Sequence, residues 1–267
     1  MTKIAVPLSH LFDRSENVKK LHGLYDCLET RPASILSNLE RQTLFHADEI
    51  QPIHGLSDKD IHFLEMIKAS KKDLKSISFH CSSCCSNPSK INGMFVPASN
   101  SIKYSREEMI NNALKSIKKI RSIFGDKIEI LVENNNFYNT PAYDHVTEPA
   151  FICEIVEKNN INFLFDNAHA AVSAHNLGLE YFGYRDSLPL NRMSQIQFCK
   201  PSIPINKKEN ASDTHSLPGK KEIDEIISLS RKFNVNYVIP EYYKDVDKLV
   251  SLLISLRSKL SDKSRSF

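Results

Sequence analysis

Eight short apolar segments succeed one another along the chain, and most of them stop on a histidine or a carboxylate. They cover residues 4–8, 24–29, 50–54, 76–80, 128–133, 162–166, 193–198 and 236–241. Continuous rather than alternating hydrophobicity is the pattern of a parallel strand covered on both faces. Amphipathic helices are written between several of them. Ser105 and Glu108 form a capping box ahead of Met109, Ile110, Ala113, Leu114, Ile117 and Ile120, with Gly125 as the stop. Residues 221–233 carry Ile223, Ile226, Ile227 and Leu229 on one side. Asp245 is placed to cap a last helix striped by Leu249, Leu252, Leu253, Leu256 and Leu260, and 13–22 reads as a weaker helix. Strands joined by such crossovers in 267 residues predict a single α/β domain over 1–267. The expected architecture is a closed (β/α)8 TIM barrel whose last few residues fray. No glycine-rich phosphate loop follows any strand, which disfavours an open doubly wound sheet.

The net charge of +3 is spread along the chain and makes no case for nucleic acid or for an anionic membrane. Arg257, Lys259, Lys263 and Arg265 read as a solvated helix end. Pro7 interrupts the apolar start, so no secretory signal is visible, and no apolar run is long enough to span a membrane. A chain of this size needs no disulfides, and its six cysteines are expected to be free thiols in a reducing cytoplasm. Cys81, Cys84 and Cys85 cluster after residue 80. Without a second pair, Cys81 and Cys84 are a weak zinc motif, and loop cysteines are the better reading than a redox-active or substrate-trapping group.

In a barrel, strand ends meet at one mouth. His54, His80, Glu133, Asp166 and Glu241 each close a predicted strand, so they converge although they are far apart in sequence. Carboxylates brought together repel and raise one another's pKa unless a cation compensates them. Two loops add to this set: Asp166-Asn167-Ala168-His169, and Asp213-Thr214-His215. Asn136 offers an amide oxygen just past Glu133. Mixed His, Asp, Glu and Asn donors suit Fe, Mn or Zn. They outnumber the needs of one ion, so two or three ions with Glu133 as a bridge are expected. Asn134, Tyr138 and His175 stand where they would orient ligands or touch substrate, and His10 ends the first strand as a weaker substrate candidate. His22, His46, His62 and His145 read as surface or helix residues.

Glu133-Asn134-Asn135-Asn136-Phe137-Tyr138, Asp166 to His169, and Ser173-Ala174-His175-Asn176, together with His54-Gly55, His80, Asp213-Thr214-His215 and Glu241, carry a resemblance. In this order they resemble the multinuclear non-haem iron-dependent oxidative enzymes, a xylose-isomerase-like TIM-barrel family, and within it the methanobactin-biosynthesis branch. The resemblance covers most of the chain. It implies an iron cluster of Fe(II) and Fe(III) that uses dioxygen to oxidise a residue, usually cysteine, in a ribosomally made precursor peptide. It also implies a partner protein that presents the peptide, and in the methanobactin branch an oxazolone beside a thioamide as product. It would assign His54, His80 and Glu133 to one iron, Glu133, Asp166 and Glu241 to a second, and Asn136, His169, Asp213 and His215 to a third. One departure stands out: where the family carries a histidine near the end of its seventh strand, this chain has Gln197, a weaker ligand. The rival expectations are a divalent-metal sugar isomerase or an endonuclease-IV-like hydrolase on the same barrel, or a non-catalytic metal-dependent scaffold for a peptide.

Overall fold

The computed structural model describes residues 1–262, so the expected frayed end, with Lys263 and Arg265, lies outside the described residues. Eight parallel strands close into a barrel: β1 (Lys3–Pro7), β2 (Cys27–Thr30), β3 (Gln42–Ala47), β4 (Ser76–His80), β5 (Glu129–Glu133), β6 (Asn162–Asp166), β7 (Met193–Phe198) and β8 (Tyr237–Pro240). Neighbours in the chain are neighbours in the barrel, and β8 closes onto β1 with Lys3 opposite Tyr237. The helices are α1 (Ser15–Leu21), α2 (Asp58–Ser70), α3 (Arg106–Phe124), α4 (Pro149–Asn159), α5 (Asn167–Leu177), α6 (Tyr181–Asp186), α7 (Lys220–Lys232) and α8 (Val246–Ser261). Two hairpins extend loops at the mouth, Ser89–Ile91 with Met94–Val96 after β4, and Lys200–Ser202 with Ser212–Ser216 after β7.

Alternation along each strand sorts its side chains between two environments. One parity, including Ile77, Phe79, Ile130, Val132, Phe163, Phe165, Ile196 and Phe198, joins the apolar layer under the helices. The other points inward, where Ala5, Cys27, Leu44, Tyr237 and Ile239 form a separate plug. Two residues beyond the plug, on the same faces, come Glu29, His46 and Glu241, all buried. The same parity that fills the barrel therefore delivers polar groups to its mouth.

The helices follow from their caps. The hydroxyl of Ser105 accepts from the Glu108 N–H, and the Glu108 carboxylate accepts from the Ser105 N–H. Asp245 accepts from the Lys248 N–H at 2.9 Å to start α8, whose Leu249, Leu252, Leu253 and Leu256 are buried. Leu114, expected on the core face of α3, lies at its edge and is exposed.

The third strand departs from the sequence reading. Residues 50–54 are not a strand: Pro52–His54 form a 3-10 turn, and the barrel strand is Gln42–Ala47. Pro52 lacks the N–H that a ladder requires and falls in the middle of the apolar run, whereas Pro7 and Pro240 are accommodated as the last residues of β1 and β8. Gln42-Thr43-Leu44-Phe45-His46-Ala47 looks half polar because buried Gln42 and His46 stand on either side of the plug residue Leu44. The β2–β3 connection carries only a 3-10 turn, Pro32–Ser34, with no α-helix.

Candidate metal centre

Moving the third strand replaces one histidine by another. His46, expected at the surface or on a helix, is 1% exposed on β3 and faces into the barrel. Its Nδ1 is 2.8 Å from the Ser78 hydroxyl, which orients the ring so that Nε2 points at the mouth. That Nε2 lies 2.9 Å from His80 Nε2 and 3.4 Å from Glu133 Oε2, and His80 Nε2 is 2.9 Å from the same oxygen. Burial lowers the His46 pKa well below the usual histidine range and keeps the ring neutral, the form in which imidazole ligates a metal. His54 is not brought to this group. Its ring nitrogen is 2.7 Å from the Ser83 carbonyl, and the ring stacks on Tyr104.

The other oxygen of Glu133 serves a second group. Glu133 Oε1 is 2.8 Å from His169 Nδ1, and Asp166 Oδ1 is 4.0 Å from the same nitrogen. Asp166 caps α5 by accepting from the His169 N–H at 2.7 Å, so the helix start that projects His169 is built by its neighbour in the site. His169 Nε2 reaches to 3.5 Å from Asp213 Oδ2. A third group follows: His215 Nε2 lies 3.3 Å from Asp213 Oδ2 and 3.2 Å from Glu241 Oε2. His215 takes a left-handed φ of 43° within its hairpin strand, a conformation uncommon outside glycine, and its N–H donates to Asp213 Oδ1 at 3.1 Å.

The electrostatics are those of charges crowded together. Burial would raise the Glu133 carboxyl, but His80 and His169 outweigh it and hold it well below the usual range. Burial, with Glu241, Glu133 and Asp213 nearby, pushes Asp166 well up despite His169. For His169 burial opposes charge, and Asp166 and Glu133 overcome it to push the ring well up. Burial also opposes ionisation of Glu241, but Arg31 beside it draws its carboxyl down to about 2.

These residues fit a cation on two counts. Both oxygens of Glu133, Oδ2 of Asp166 and Oδ1 of Asn136 are buried without a hydrogen-bond partner, which native proteins seldom tolerate. The imidazoles reach Glu133 at hydrogen-bond distance without hydrogen-bond geometry. Ligand atoms about 2.1 Å from a shared ion lie about 3 Å apart at right angles, the spacing found among His46, His80 and Glu133. Three groups could each hold an ion: His46, His80 and Glu133; Glu133, Asp166 and His169; Asp213, His215 and Glu241. They differ from the partition the resemblance implies, for His169 stands with Glu133 and Asp166, and Glu241 with Asp213 and His215.

Around the ligands lie residues that position them. The Asn134 side chain donates to the Asp166 carbonyl at 2.8 Å and accepts from the Asp166 N–H at 2.9 Å, clasping β5 to β6. Arg31 pairs with Glu29 and Glu241, and the Tyr243 hydroxyl donates to Glu241 Oε1, which leaves Oε2 toward His215. Glu29, Arg31 and Tyr243 were not singled out from sequence, although Glu29 closes the second predicted strand. Gln197 donates its amide to both Glu29 oxygens, at 3.1 and 3.0 Å. The Tyr138 hydroxyl meets the Asp213 backbone. His175 bonds the Glu209 carbonyl at 3.0 Å and ties α5 to the second hairpin, whereas His10 is exposed in the turn after β1. Cys81, Cys84 and Cys85 are buried free thiols; burial raises Cys81 and Cys84 to about 12, and Cys84 donates to the Pro141 carbonyl.

A closed parallel barrel of eight strands, most of them followed by helices, defines the class: a (β/α)8 TIM barrel. Solved structures agree. A D-tagatose 3-epimerase-like protein superposes with a TM-score of 0.62 at 15% identity, covering 98% of this chain and 99% of that one. The 3-keto-D-glucoside 4-epimerase of E. coli gives 0.59 at 12%, covering 97% and 100%. Such identities establish the fold alone. The family is more specific, for the chain belongs to the ribosomal-peptide (RiPP) precursor modification enzymes MbnB/TglH/ChrH, whose profile matches residues 44–254. A UPF0276 protein of Vibrio parahaemolyticus is 26% identical over 118 residues, 44% of this chain and 40% of that protein. Another, from Caulobacter vibrioides, is 32% identical over 89 residues, 33% and 31% respectively. The aligned part thus spans well under half the length of these relatives.

Proposed function

We propose that the chain is an iron- and dioxygen-dependent enzyme that oxidises a residue, cysteine above all, in a ribosomally made precursor peptide presented by a separate partner protein. The observation that carries the reading is the buried Glu133 carboxylate, with one oxygen facing His46 and His80 and the other facing His169. A carboxylate disposed in this way could serve an ion on each side, one with His46 and His80 and one with Asp166 and His169. His46, His80, Glu133, Asp166, His169, Asp213, His215 and Glu241 would hold the metal, with the unpartnered oxygen of Asn136 as a further donor. Bound iron would supply the redox chemistry with dioxygen and a Lewis-acid position for a substrate thiol. The chain does the rest. Ser78 fixes the His46 ring, the Asn134 clasp holds Asp166 in place, and Arg31 with Tyr243 holds one oxygen of Glu241 so that the other faces His215. The hairpin of Lys200–Ser202 and Ser212–Ser216 carries Asp213 and His215 to the mouth.

The test is anaerobic loading with Fe(II), followed by metal analysis and oxygen-electrode measurement with cysteine-containing precursor peptides. More than one iron per chain, and oxygen uptake that depends on the peptide, are expected. Glu133→Ala should abolish both while the barrel keeps its circular dichroism. Unchanged iron occupancy in Glu133→Ala would refute the bridge. A zinc-loaded protein that turns over a ketose without oxygen would favour the isomerase reading instead.

A further inference from the structure

α5 carries His169, Ser173 and Asn176 at a spacing of four and then three residues, which puts them on one face of the helix. His169 belongs to the second group of ligands, and the other two fasten the segments around it. Ser173, one turn on and fully buried, brackets Asn136: its hydroxyl donates to the Asn135 carbonyl at 2.7 Å and accepts from the Phe137 N–H at 2.8 Å. Asn176, a further turn along, reaches two segments at once. Its Nδ2 donates to the Phe137 carbonyl at 2.7 Å and to the Ala211 carbonyl at 3.3 Å, and its Oδ1 accepts from the Ala211 N–H at 2.7 Å. One side-chain amide thus pairs with the backbone of Ala211 as a neighbouring strand would, while it also holds the loop after Glu133. Ala211 is fully buried and stands two residues ahead of Asp213, whose Oδ2 lies 3.5 Å from His169 Nε2 and 3.3 Å from His215 Nε2. Asp213 is therefore the joint between the second and third groups. The hairpin that carries it is fastened to α5 on both sides, for Asn167 accepts from the Cys199 N–H at 3.2 Å ahead of it, and His175 and Asn176 hold the approach to its return strand.

We infer that Asn176 is a positioning residue that fixes the third group of ligands against the second, and so sets how many ions the mouth holds. The inference rests on the metal-centre reading above and deepens it. A two-stranded hairpin has little stability of its own, so the place of Asp213 and His215 is decided by what the hairpin is docked on. A primary amide suits this position because it offers two donors and an acceptor in one plane, matching two carbonyls and one N–H. Alanine supplies none of these, and aspartate supplies the acceptor alone. The damage from removing the amide stays local. α5 keeps its own ends, capped by Asp166 at the start and by the left-handed Gly178 at the finish. The group of His46, His80 and Glu133 is built on β3, β4 and β5, none of which Asn176 touches. What moves is Ala211, and with it Asp213, so the group of Asp213, His215 and Glu241 loses its geometry first.

Two measurements on the full-length protein test this. Hydrogen exchange of the metal-stripped protein, read by mass spectrometry, reports on the clasp, and equilibrium dialysis against Mn(II) counts the ions. Asn176→Ala should speed exchange across residues 209–215 by about tenfold while β3, β4 and β5 keep their protection. It should also bind one manganese fewer per chain than the wild type. Asn176→Asp keeps the acceptor for the Ala211 N–H but loses both donations, so it should show a smaller rise in exchange and weaker binding of that last ion. It decides the matter if circular dichroism shows Asn176→Ala to be unfolded. Ser105→Ala, which weakens the barrel far from the mouth, should leave both readouts at the wild-type level. Unchanged exchange at 209–215, or a full complement of manganese despite faster exchange, would overturn the positioning role and leave the metal centre standing. A wild type that retains no manganese would overturn the metal-centre reading and this inference together.

Discussion

Glu133 sits among three imidazoles because two strands and one helix start end at the same height. His80 pairs with it across the β4–β5 ladder, His46 comes from β3, and His169 enters from the first turn of α5. Exchanging His54 for His46 therefore makes a sharp prediction. His46→Ala should lower metal affinity by more than the roughly 10–100-fold that loss of an outer partner costs. His54→Ala should leave metal content intact and cost about 1–2 kcal/mol through the lost Ser83 bond and Tyr104 stacking. Metal analysis beside urea unfolding distinguishes the two, and the reverse pattern would reject β3 as the source of the ligand. The signal for His46 was present in the chain, since Thr43-Leu44-Phe45 favours a strand and Pro52 argues against one at 50–54. Its neighbours did not reveal it, because an inward face that carries function does not look apolar.

At the level of elements, the mouth depends on joints between strands and helices rather than on long contacts. The Asn134 clasp is one such joint. Asn134→Leu strands two buried backbone groups of Asp166, at about 1–3 kcal/mol each, and should also reduce metal occupancy because Asp166 loses its setting. Urea stability equal to wild type would show that the clasp holds nothing. The Ser105 capping box is a joint of a different kind, remote from the mouth. Ser105→Ala should cost about 1 kcal/mol, a fall of roughly 2–4 °C in Tm, with no loss of metal. Both hairpins escaped the sequence reading, although Asp213-Thr214-His215 was found, because strands this short stand on pairing and docking rather than on periodicity.

Taken as a whole, the molecule gathers Glu29, Glu133, Asp166, Asp213 and Glu241 at one end of the barrel, where Arg31 pairs with Glu29 and Glu241. A cation that binds the folded barrel and not the unfolded chain must stabilise it, by about 2.7 kcal/mol at a hundredfold excess over Kd. Calorimetry of stripped protein with added Fe(II) or Mn(II) should show Tm rising with metal concentration, and Glu133→Ala should abolish the rise. A rise that survives in Glu133→Ala would place the binding elsewhere. Among the described residues no helix is long and apolar enough to cross a membrane, in keeping with the absence of a spanning run in the sequence.

The residue order by itself determined the barrel, because doubly covered parallel strands leave uninterrupted apolar runs and because capping boxes and leucine stripes are local. It also named most of the residues that meet at the mouth, since a strand end is a position along the chain. Tertiary structure alone decided which histidine completes the first group, which carboxylates stand together, and that Gln197 turns to Glu29 while Cys199 turns to Asp213. Those choices depend on strand register and on the direction of each side chain across the barrel, and neither is recorded in the spacing of residues along one chain.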